Sequence, residues 1–208
     1  MDLKGKKVLV FGAGKSGIGA ADLLGSAGAQ PVIYDGNADL DKEAVLHKTN
    51  GKYTPEIWAG DFPERALDSL DLIVLSPGVP TDLPLVKSFY EKGLPVWSEV
   101  ELAYRTGKGE VLAITGTNGK TTTTALLGKI MGDARESVFV VGNIGTAYTS
   151  KSLEMREDSV TVAEISSFQL ETRTNPSGLV LDRTEAQGTV GAIFTLNPCL
   201  TPWNLTDQ

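Results

Sequence analysis

The sequence is poor in the residues that most often carry redox or metal chemistry. Its 208 residues include one cysteine, Cys199, and one histidine, His47. A single cysteine excludes an intramolecular disulfide and fits a reducing compartment, so we expect a cytoplasmic protein. His47 lies among Lys42, Glu43 and Lys48, on a solvated helix or loop, and we assign it no role. With only one histidine and one cysteine, the sequence excludes a His/Cys zinc site and a Cys-His nucleophile pair.

Long apolar runs and an excess of basic charge are also missing. The apolar run at residues 8–11 is too short for a signal-peptide core or a membrane span, so we expect neither targeting nor membrane association. A net charge of −7 argues against non-specific nucleic-acid binding, which needs a basic surface. With 41% hydrophobic and 22% charged residues, the chain is typical of a globular protein with a real core.

Short β-rich runs alternate with helical stretches over residues 7–112, which predicts a parallel sheet covered by helices. The strands are expected at residues 8–11, 31–34, 72–75 and 95–97, and helices at residues 18–27, between residues 81 and 93, and at residues 99–105. In the second of these helices, Thr81 is the expected N-cap and Gly93 the expected C′ residue.

A polar, glycine-containing stretch at residues 107–109 is the predicted domain boundary, which divides the chain into domains 1–107 and 108–208. The strands of the second domain are expected at residues 111–115, 138–141, 160–163 and 190–196, and its first helix at residues 120–131. The predicted fold class is α/β: a Rossmann-like N-terminal domain followed by a partial P-loop ATPase-type α/β domain.

The first glycine-rich turn, Gly12-Ala13-Gly14-Lys15-Ser16-Gly17, follows a strand and opens a helix. This context is typical of the G-x-G-x-x-G dinucleotide-binding motif. Asp35, at the end of the next strand, is placed to accept hydrogen bonds from a ribose hydroxyl, while the helix N-terminus faces a diphosphate. From these residues alone the expected ligand is NAD, and the alternative is a tight turn without a ligand.

The second turn, GTNGKTT, lacks the first glycine of the standard G-x-x-x-x-G-K-[ST] loop because position 114 is Ile. Its chemistry is nevertheless intact. Small residues let backbone N–H groups wrap phosphate oxygens, Lys120 adds charge between the β- and γ-phosphates, and the Thr121 hydroxyl is placed on Mg²⁺. We therefore predict a site for ATP and Mg²⁺ made by Gly116, Thr117, Asn118, Gly119, Lys120, Thr121 and Thr122.

Two polar residues lie at or just after the ends of predicted strands in the second domain. Glu164 ends a strand, and we predict that it is a Mg²⁺ ligand because this ion prefers hard oxygen ligands. The alternative is a solvated glutamate at a strand end. Asn143, in the turn Gly142-Asn143-Ile144-Gly145, would lie on the carboxyl edge of the sheet, where open α/β folds bind ligands. Its alternative role is that of a turn residue.

Six segments form an ordered series along the chain: KKVLVFGAGKSGIGAADLL, LSPGVP, WSEVELAY, ITGTNGKTTTTALLGKIM, VVGNIGTAY and VAEISSFQLET. In this order they resemble the Mur ligases of peptidoglycan synthesis. The resemblance covers about residues 3–172, and GTNGKTT with AEISSFQLET makes it specific. It implies three domains: a Rossmann-like domain that holds a UDP-sugar, a central ATPase domain, and a C-terminal domain that completes the amino-acid site.

The resemblance changes the ligand expected at the first turn from NAD to the uridine diphosphate of a substrate. It implies substrate contacts from Gly14, Lys15, Ser16, Gly17, Asp35, Gly36, Ser76, Pro77 and Gly78, with Asn143 and Ser166 in the substrate and metal region. Lys120 and Glu164 are the implied catalytic residues. The implied reaction is ATP-dependent amide formation through an acyl phosphate, with UDP-N-acetylmuramoyl-L-alanine and D-glutamate as substrates, and we expect a monomer.

The end of the chain departs from the family pattern. After residue 196 that pattern continues Asn-x-Thr/Ser-x-Asp-His, whereas this chain reads Asn197-Pro198-Cys199-Leu200. Family members also use a downstream lysine, carbamylated to bridge a second Mg²⁺, but no lysine follows Lys151. We therefore expect a truncated or frame-altered product with impaired ligase activity. The alternatives are an NAD-dependent oxidoreductase and a non-catalytic nucleotide-binding module.

Overall fold

The structure, a computed structural model, describes residues 2–166, residue 169 and the backbone of the strand Ala192–Leu196. The chain divides into two compact units, one ending at Ala103 and the other beginning at Tyr104. The predicted departure from the family pattern at residues 197–200 lies outside the described residues. The assignment of one functional domain to residues 1–107 and another to residues 108–208 stays a prediction.

The first unit alternates strands and helices, as the sequence predicts. Its elements are β1 (Lys7–Phe11), α1 (Lys15–Ser26), β2 (Gln30–Asp35), α2 (Lys42–Lys48), β3 (Glu56–Ala59), β4 (Leu72–Leu75), α3 (Pro84–Glu91) and β5 (Val96–Ser98), and α4 (Glu99–Thr106) begins in it. A 3₁₀ turn, Glu64–Ser69, precedes β4. His47 lies in the short helix α2.

All five strands of this unit are parallel and lie in the order β3-β2-β1-β4-β5. Alternate residues of the strands face opposite sides, so two separate apolar clusters form. Ile18 and Leu24 of α1 pack on one face, and Val86 and Phe89 of α3 on the other. The predicted parallel sheet with covering helices is therefore confirmed, and helices cover both of its faces. The strand order reverses between β1 and β4, and such a point leaves a crevice at the carboxyl edge of a sheet.

Two details of this unit differ from expectation. Thr81 is not the N-cap of α3, because the N-cap is Leu83 and Pro84 is the first helical residue. Proline is favoured at the first helical position because its fixed φ suits the helix. An N–H at this position would have no intrahelical acceptor, so the helix loses no hydrogen bond when proline lacks it. Gly93 follows the C-cap with φ +72°, as predicted for a C′ residue. The edge strand β3 was not predicted, since its four residues show no clear apolar alternation.

The described residues of the second unit form a four-stranded sheet in the order β7-β8-β6-β9. Its elements are β6 (Glu110–Thr115), α5 (Lys120–Ala134), β7 (Val138–Gly142), β8 (Val160–Glu164) and β9 (Ala192–Leu196), with 3₁₀ turns at Tyr148–Ser150 and Ser152–Glu154. The first three strands of that order are parallel, whereas β9 runs antiparallel to β6. Leu127 and Met131 pack α5 on the buried Ile114 and Val162. In the described part of the chain, no helix is long and apolar enough to cross a membrane.

Candidate nucleotide-binding sites

A cleft of about 550 Å³ opens in the first unit at the carboxyl ends of β1, β2 and β4. Nine residues predicted to bind substrate line it: Gly14, Lys15, Ser16, Gly17, Asp35, Gly36, Ser76, Pro77 and Gly78. The structure thus brings together three segments that are far apart in the sequence. Val79, Pro80 and Leu83 add an apolar wall that sequence reasoning missed. Their position directly after the Ser-Pro-Gly turn could have indicated that they also border the cleft.

The surroundings of the glycines in the first turn differ from one glycine to the next. A Cβ at Gly12 would approach Ser76 Oγ to 2.8 Å, and one at Gly17 would overlap the carbonyl oxygen of Gly12. Packing of the turn therefore requires glycine at both positions. Gly14 differs, because a Cβ there would meet no atom within 4 Å and its φ is −76°. Open space beside Gly14 is space in the cleft that a ligand could occupy.

Helix α1 directs its amino end into this cleft. Gly14 is its N-cap, and a glycine has no side chain that could cap the first turn. The first N–H groups of an α-helix have no intrahelical acceptor, and the helix dipole makes this end positive. The exposed Lys15 adds a cation beside them. These features together suit a diphosphate or a similar anion.

Asp35 and Ser76 both contact the glycine turn itself. Asp35 Oδ2 accepts a 3.0 Å hydrogen bond from Ala13 N, and Oδ1 accepts one of 3.0 Å from Asn37 N. Ser76 Oγ donates to the carbonyl oxygen of Gly12 over 3.3 Å. Both side chains are thus engaged by the protein as well as bordering the cleft.

In the second unit, the predicted phosphate-binding turn joins β6 to α5. Gly116 and Gly119 have φ values of +138° and +78°, which favour glycine, and Gly119 is the N-cap of α5. Lys120 Nζ donates to Gly116 O at 2.7 Å and lies 3.5 Å from Thr117 O. The remaining residues of the turn, Thr117, Asn118, Thr121 and Thr122, are exposed. The turn therefore presents backbone donors and a cation to solvent.

Glu164 is the last residue of β8, directly opposite Ile114 of β6 and Gly142 of β7. Only 5% of this residue is exposed, and its buried Oε2 atom finds no hydrogen-bond partner among the described residues. A buried carboxylate oxygen without a partner is costly, because it has lost its hydration. Its location beside the strand that leads into the phosphate-binding turn fits a ligand for a cation.

Asn143 and Ser166 surround the same strand end. Asn143 is exposed, and its backbone N–H donates to Glu164 O at 3.1 Å. Ser166 donates from both N and Oγ to Gln169 Oε1, over 2.8 and 3.0 Å. Sequence reasoning missed the buried Gln169, although the three-residue spacing from Ser166 was a usable signal. Within residues 2–166 and at residue 169, no group of three or more acidic, His or Cys side chains could hold a metal by itself.

The fold and these two turns define a two-unit α/β protein that carries a glycine-rich turn between a strand and a helix in each unit. Residues 6–98 match the model described as "Mur ligase MurD-like, N-terminal domain", and residues 114–182 match "Mur ligase middle domain". Together these matches cover well over half of the chain. The chain therefore belongs to the Mur ligase family.

Two curated relatives carry the same enzyme name. The chain is 58% identical over 172 residues to the UDP-N-acetylmuramoylalanine-D-glutamate ligase of Lachnospira eligens, an alignment that covers 83% of this chain and 38% of that protein. Identity to the enzyme of the same name from Lachnoclostridium phytofermentans is 54%, with the same coverage of both chains. This chain thus spans well under half the length of these relatives.

The alignments agree with the expected extent of the resemblance. Those with the two ligases above span 172 residues, a length that fits a resemblance over about residues 3–172. The middle-domain match runs to residue 182. An alignment with the UDP-N-acetylmuramoylalanine-D-glutamate ligase of Alkaliphilus oremlandii is 41% identical over 200 residues and covers 95% of this chain and 42% of that protein.

Proposed function

We propose that this chain is the substrate- and ATP-binding part of an ADP-forming ligase that adds D-glutamate to UDP-N-acetylmuramoyl-L-alanine. The observation that carries the proposal is the second unit's pairing of a phosphate-binding turn with the buried carboxylate of Glu164 on the adjoining strand, whose Oε2 has no hydrogen-bond partner among the described residues. High identity to ligases of that name supports the choice of reaction.

ATP is assigned to the turn between β6 and α5. The backbone N–H groups of residues 116–122 would hold its phosphates, together with the Lys120 ammonium, which donates to Gly116 O at 2.7 Å. Thr121 and Glu164 would hold Mg²⁺, an ion that usually takes one or two protein ligands and completes its coordination with phosphate oxygens and waters. When bound, Mg²⁺ would neutralise part of the phosphate charge.

The UDP-sugar is assigned to the cleft of the first unit. The amino end of α1 and Lys15 face its diphosphate, and the wall at residues 76–80 borders the remainder. In the proposed reaction, an oxygen of the substrate carboxylate attacks the γ-phosphorus, and ADP leaves. The amine of D-glutamate then attacks the acyl carbon, and inorganic phosphate leaves as the amide forms. Holding carboxylate and triphosphate in line is the main contribution expected from binding.

Thermal unfolding with separate ligands tests the two-site assignment. We expect Mg-ATP and UDP-N-acetylmuramoyl-L-alanine each to raise the melting temperature, with additive effects, because a ligand that binds only the folded state stabilises it. Micromolar NADH binding without any response to the UDP-sugar would instead identify the oxidoreductase alternative. Phosphate release with both substrates then separates a ligase from a nucleotide-binding module, which would be stabilised by Mg-ATP without releasing phosphate.

A further inference from the structure

We propose that Asp35 and Ser76 are positioning residues that hold the glycine turn from its two sides, and so set the diphosphate affinity of the cleft. The proposal rests on the proposed function, in which this cleft takes a UDP-sugar. It differs from a direct ligand role, because the two side chains would act through the backbone of residues 12–17.

On one side, Asp35 ties the end of β2 to the turn. Its Oδ2 atom accepts from Ala13 N and its Oδ1 atom from Asn37 N, both at 3.0 Å. The Ala13 N–H is therefore engaged within the protein and is not one of the groups that face a phosphate. Hydrogen bonds from N–H groups to a carboxylate are stronger than those between neutral groups, which makes this contact a firm one.

On the other side, Ser76 ties the end of β4 to the same turn. Only 9% of the residue is exposed, and Oγ donates to Gly12 O at 3.3 Å. Contact here is so close that a Cβ at Gly12 would lie 2.8 Å from Ser76 Oγ. The backbone N–H of Ser76 also donates to Phe11 O, at 3.0 Å, so the serine is held in place by the strand next to it.

Strand β1 lies between β2 and β4 in the sheet, so the turn that follows it is held by both of its neighbours. Residues 15–17 of this turn are also the first residues of α1, and Ile18 N donates to Gly14 O at the start of the helix. Loosening the turn would therefore misplace the N–H groups of Lys15, Ser16 and Gly17. These groups suit a diphosphate, whereas a nucleoside offers no charge for them to bind.

The test compares ligands that share either the diphosphate or the nucleoside. Dissociation constants of UDP, inorganic pyrophosphate and uridine are measured by NMR titration, which reaches millimolar affinities. Asp35→Ala and Ser76→Ala should each weaken UDP and pyrophosphate by about tenfold, and uridine by less than about twofold. Equal losses for UDP and uridine, with pyrophosphate unchanged, would show direct contact with the nucleoside. That pattern, or unchanged affinity for all three ligands, overturns the proposal.

Two matched variants control for the loss of a similar bond elsewhere in the unit. Asp41 accepts from Ala44 N at 2.9 Å as the N-cap of α2, and Ser69 Oγ donates to Ala66 O at 2.7 Å. Neither residue lines the cleft. Asp41→Ala and Ser69→Ala should leave the three dissociation constants unchanged. Asp35→Asn retains one acceptor oxygen, and it should give an intermediate loss if Asp35→Ala does not fold.

Amide hydrogen exchange without ligand separates this proposal from the proposed function. The Ala13 amide should exchange slowly in the parent chain and at least tenfold faster in Asp35→Ala, while Asp41→Ala leaves it unchanged. If the parent chain binds neither UDP nor pyrophosphate, the function proposed for the cleft is wrong. The exchange rate of Ala13 still decides whether Asp35 holds the turn, and an unchanged rate in Asp35→Ala would show that it does not.

Discussion

The Lys120 ammonium lies 2.7 Å from the carbonyl oxygen of Gly116, so the lysine crosses the turn that precedes it. A phosphate group entering the turn would offer this ammonium a charged acceptor in place of a neutral carbonyl. The ammonium already makes a charge-assisted hydrogen bond to the carbonyl, and a phosphate oxygen adds the Coulomb attraction of an opposite full charge. The exchange of partners therefore favours the bound state, and the lysine is the side chain whose removal should report most directly on ATP binding.

Lys120→Ala should abolish the rise in melting temperature caused by Mg-ATP and leave stabilisation by the UDP-sugar unchanged. Lys129→Ala, an exposed lysine on the same helix, is the matched control and should behave like the parent chain. Differential scanning fluorimetry with each ligand measures both effects. An equal loss of both responses in Lys120→Ala would argue against separate sites for the two ligands.

Glu164→Gln should raise the Mg²⁺ concentration needed for ATP binding by roughly tenfold or more, which corresponds to about 1.4 kcal/mol. The variant removes the charge of a buried carboxylate whose Oε2 has no partner in the described residues. For the same reason its stability without metal should not fall. Titration of Mg²⁺ at fixed ATP measures the effect, with Glu110→Gln at the opposite end of β6 as control. Unchanged Mg²⁺ dependence would remove Glu164 from the metal site.

Gly17→Ala should lower the free energy of unfolding by about 1–3 kcal/mol, because the new methyl group would overlap the carbonyl of Gly12. Gly14→Ala is its control for stability, since the methyl group there meets no protein atom within 4 Å. The second variant should instead weaken binding of the UDP-sugar, because its methyl group occupies the cleft. Urea unfolding and ligand titration of both variants distinguish packing from binding.

Tyr148→Phe should raise the free energy of unfolding by about 1 kcal/mol at pH 8, because it removes a buried hydroxyl without a partner in the described residues. Tyr53→Phe is the contrasting variant. Its hydroxyl donates to Asp22 Oδ1 at 3.0 Å, so its removal should lower stability by a similar amount. Urea unfolding at pH 8 measures both, and a destabilised Tyr148→Phe would contradict the prediction.

The same tyrosine should contribute to alkaline unfolding. Burial raises the pKa of Tyr148, with a smaller effect from the nearby Tyr104. In the unfolded chain its pKa is about 10, so above that pH the unfolded state releases the proton first. Stability from this group is thus present below pH 10 and is lost as pH rises, by up to about 1.4 kcal/mol per pH unit. The advantage of Tyr148→Phe should therefore grow between pH 10 and 11.

Much of the fold could be predicted from local patterns. Apolar strands, glycines after strands and amphipathic helices lie close to where the sequence placed them, because backbone preference and burial agree in these segments. The unpredicted β3 has no strong pattern of its own, and its pairing with β2 supplies the hydrogen bonds that make it a strand. The helix start at Pro84 instead of Thr81 shows the opposite case, in which a local proline preference outweighed a possible cap.

The sequence by itself determined the two glycine turns and their place between a strand and a helix, because these depend on φ values and apolar periods of neighbouring residues. Nine residues that border the cleft followed from the resemblance to the Mur ligases, whereas its apolar wall of Val79, Pro80 and Leu83 did not. Only the tertiary structure decided how the polar groups are used. Asp35 and Ser76 meet the turn after β1 from two different strands, and Glu164 loses its water without gaining a partner in the described chain. Such contacts join residues far apart in sequence, so sheet order and burial decide them.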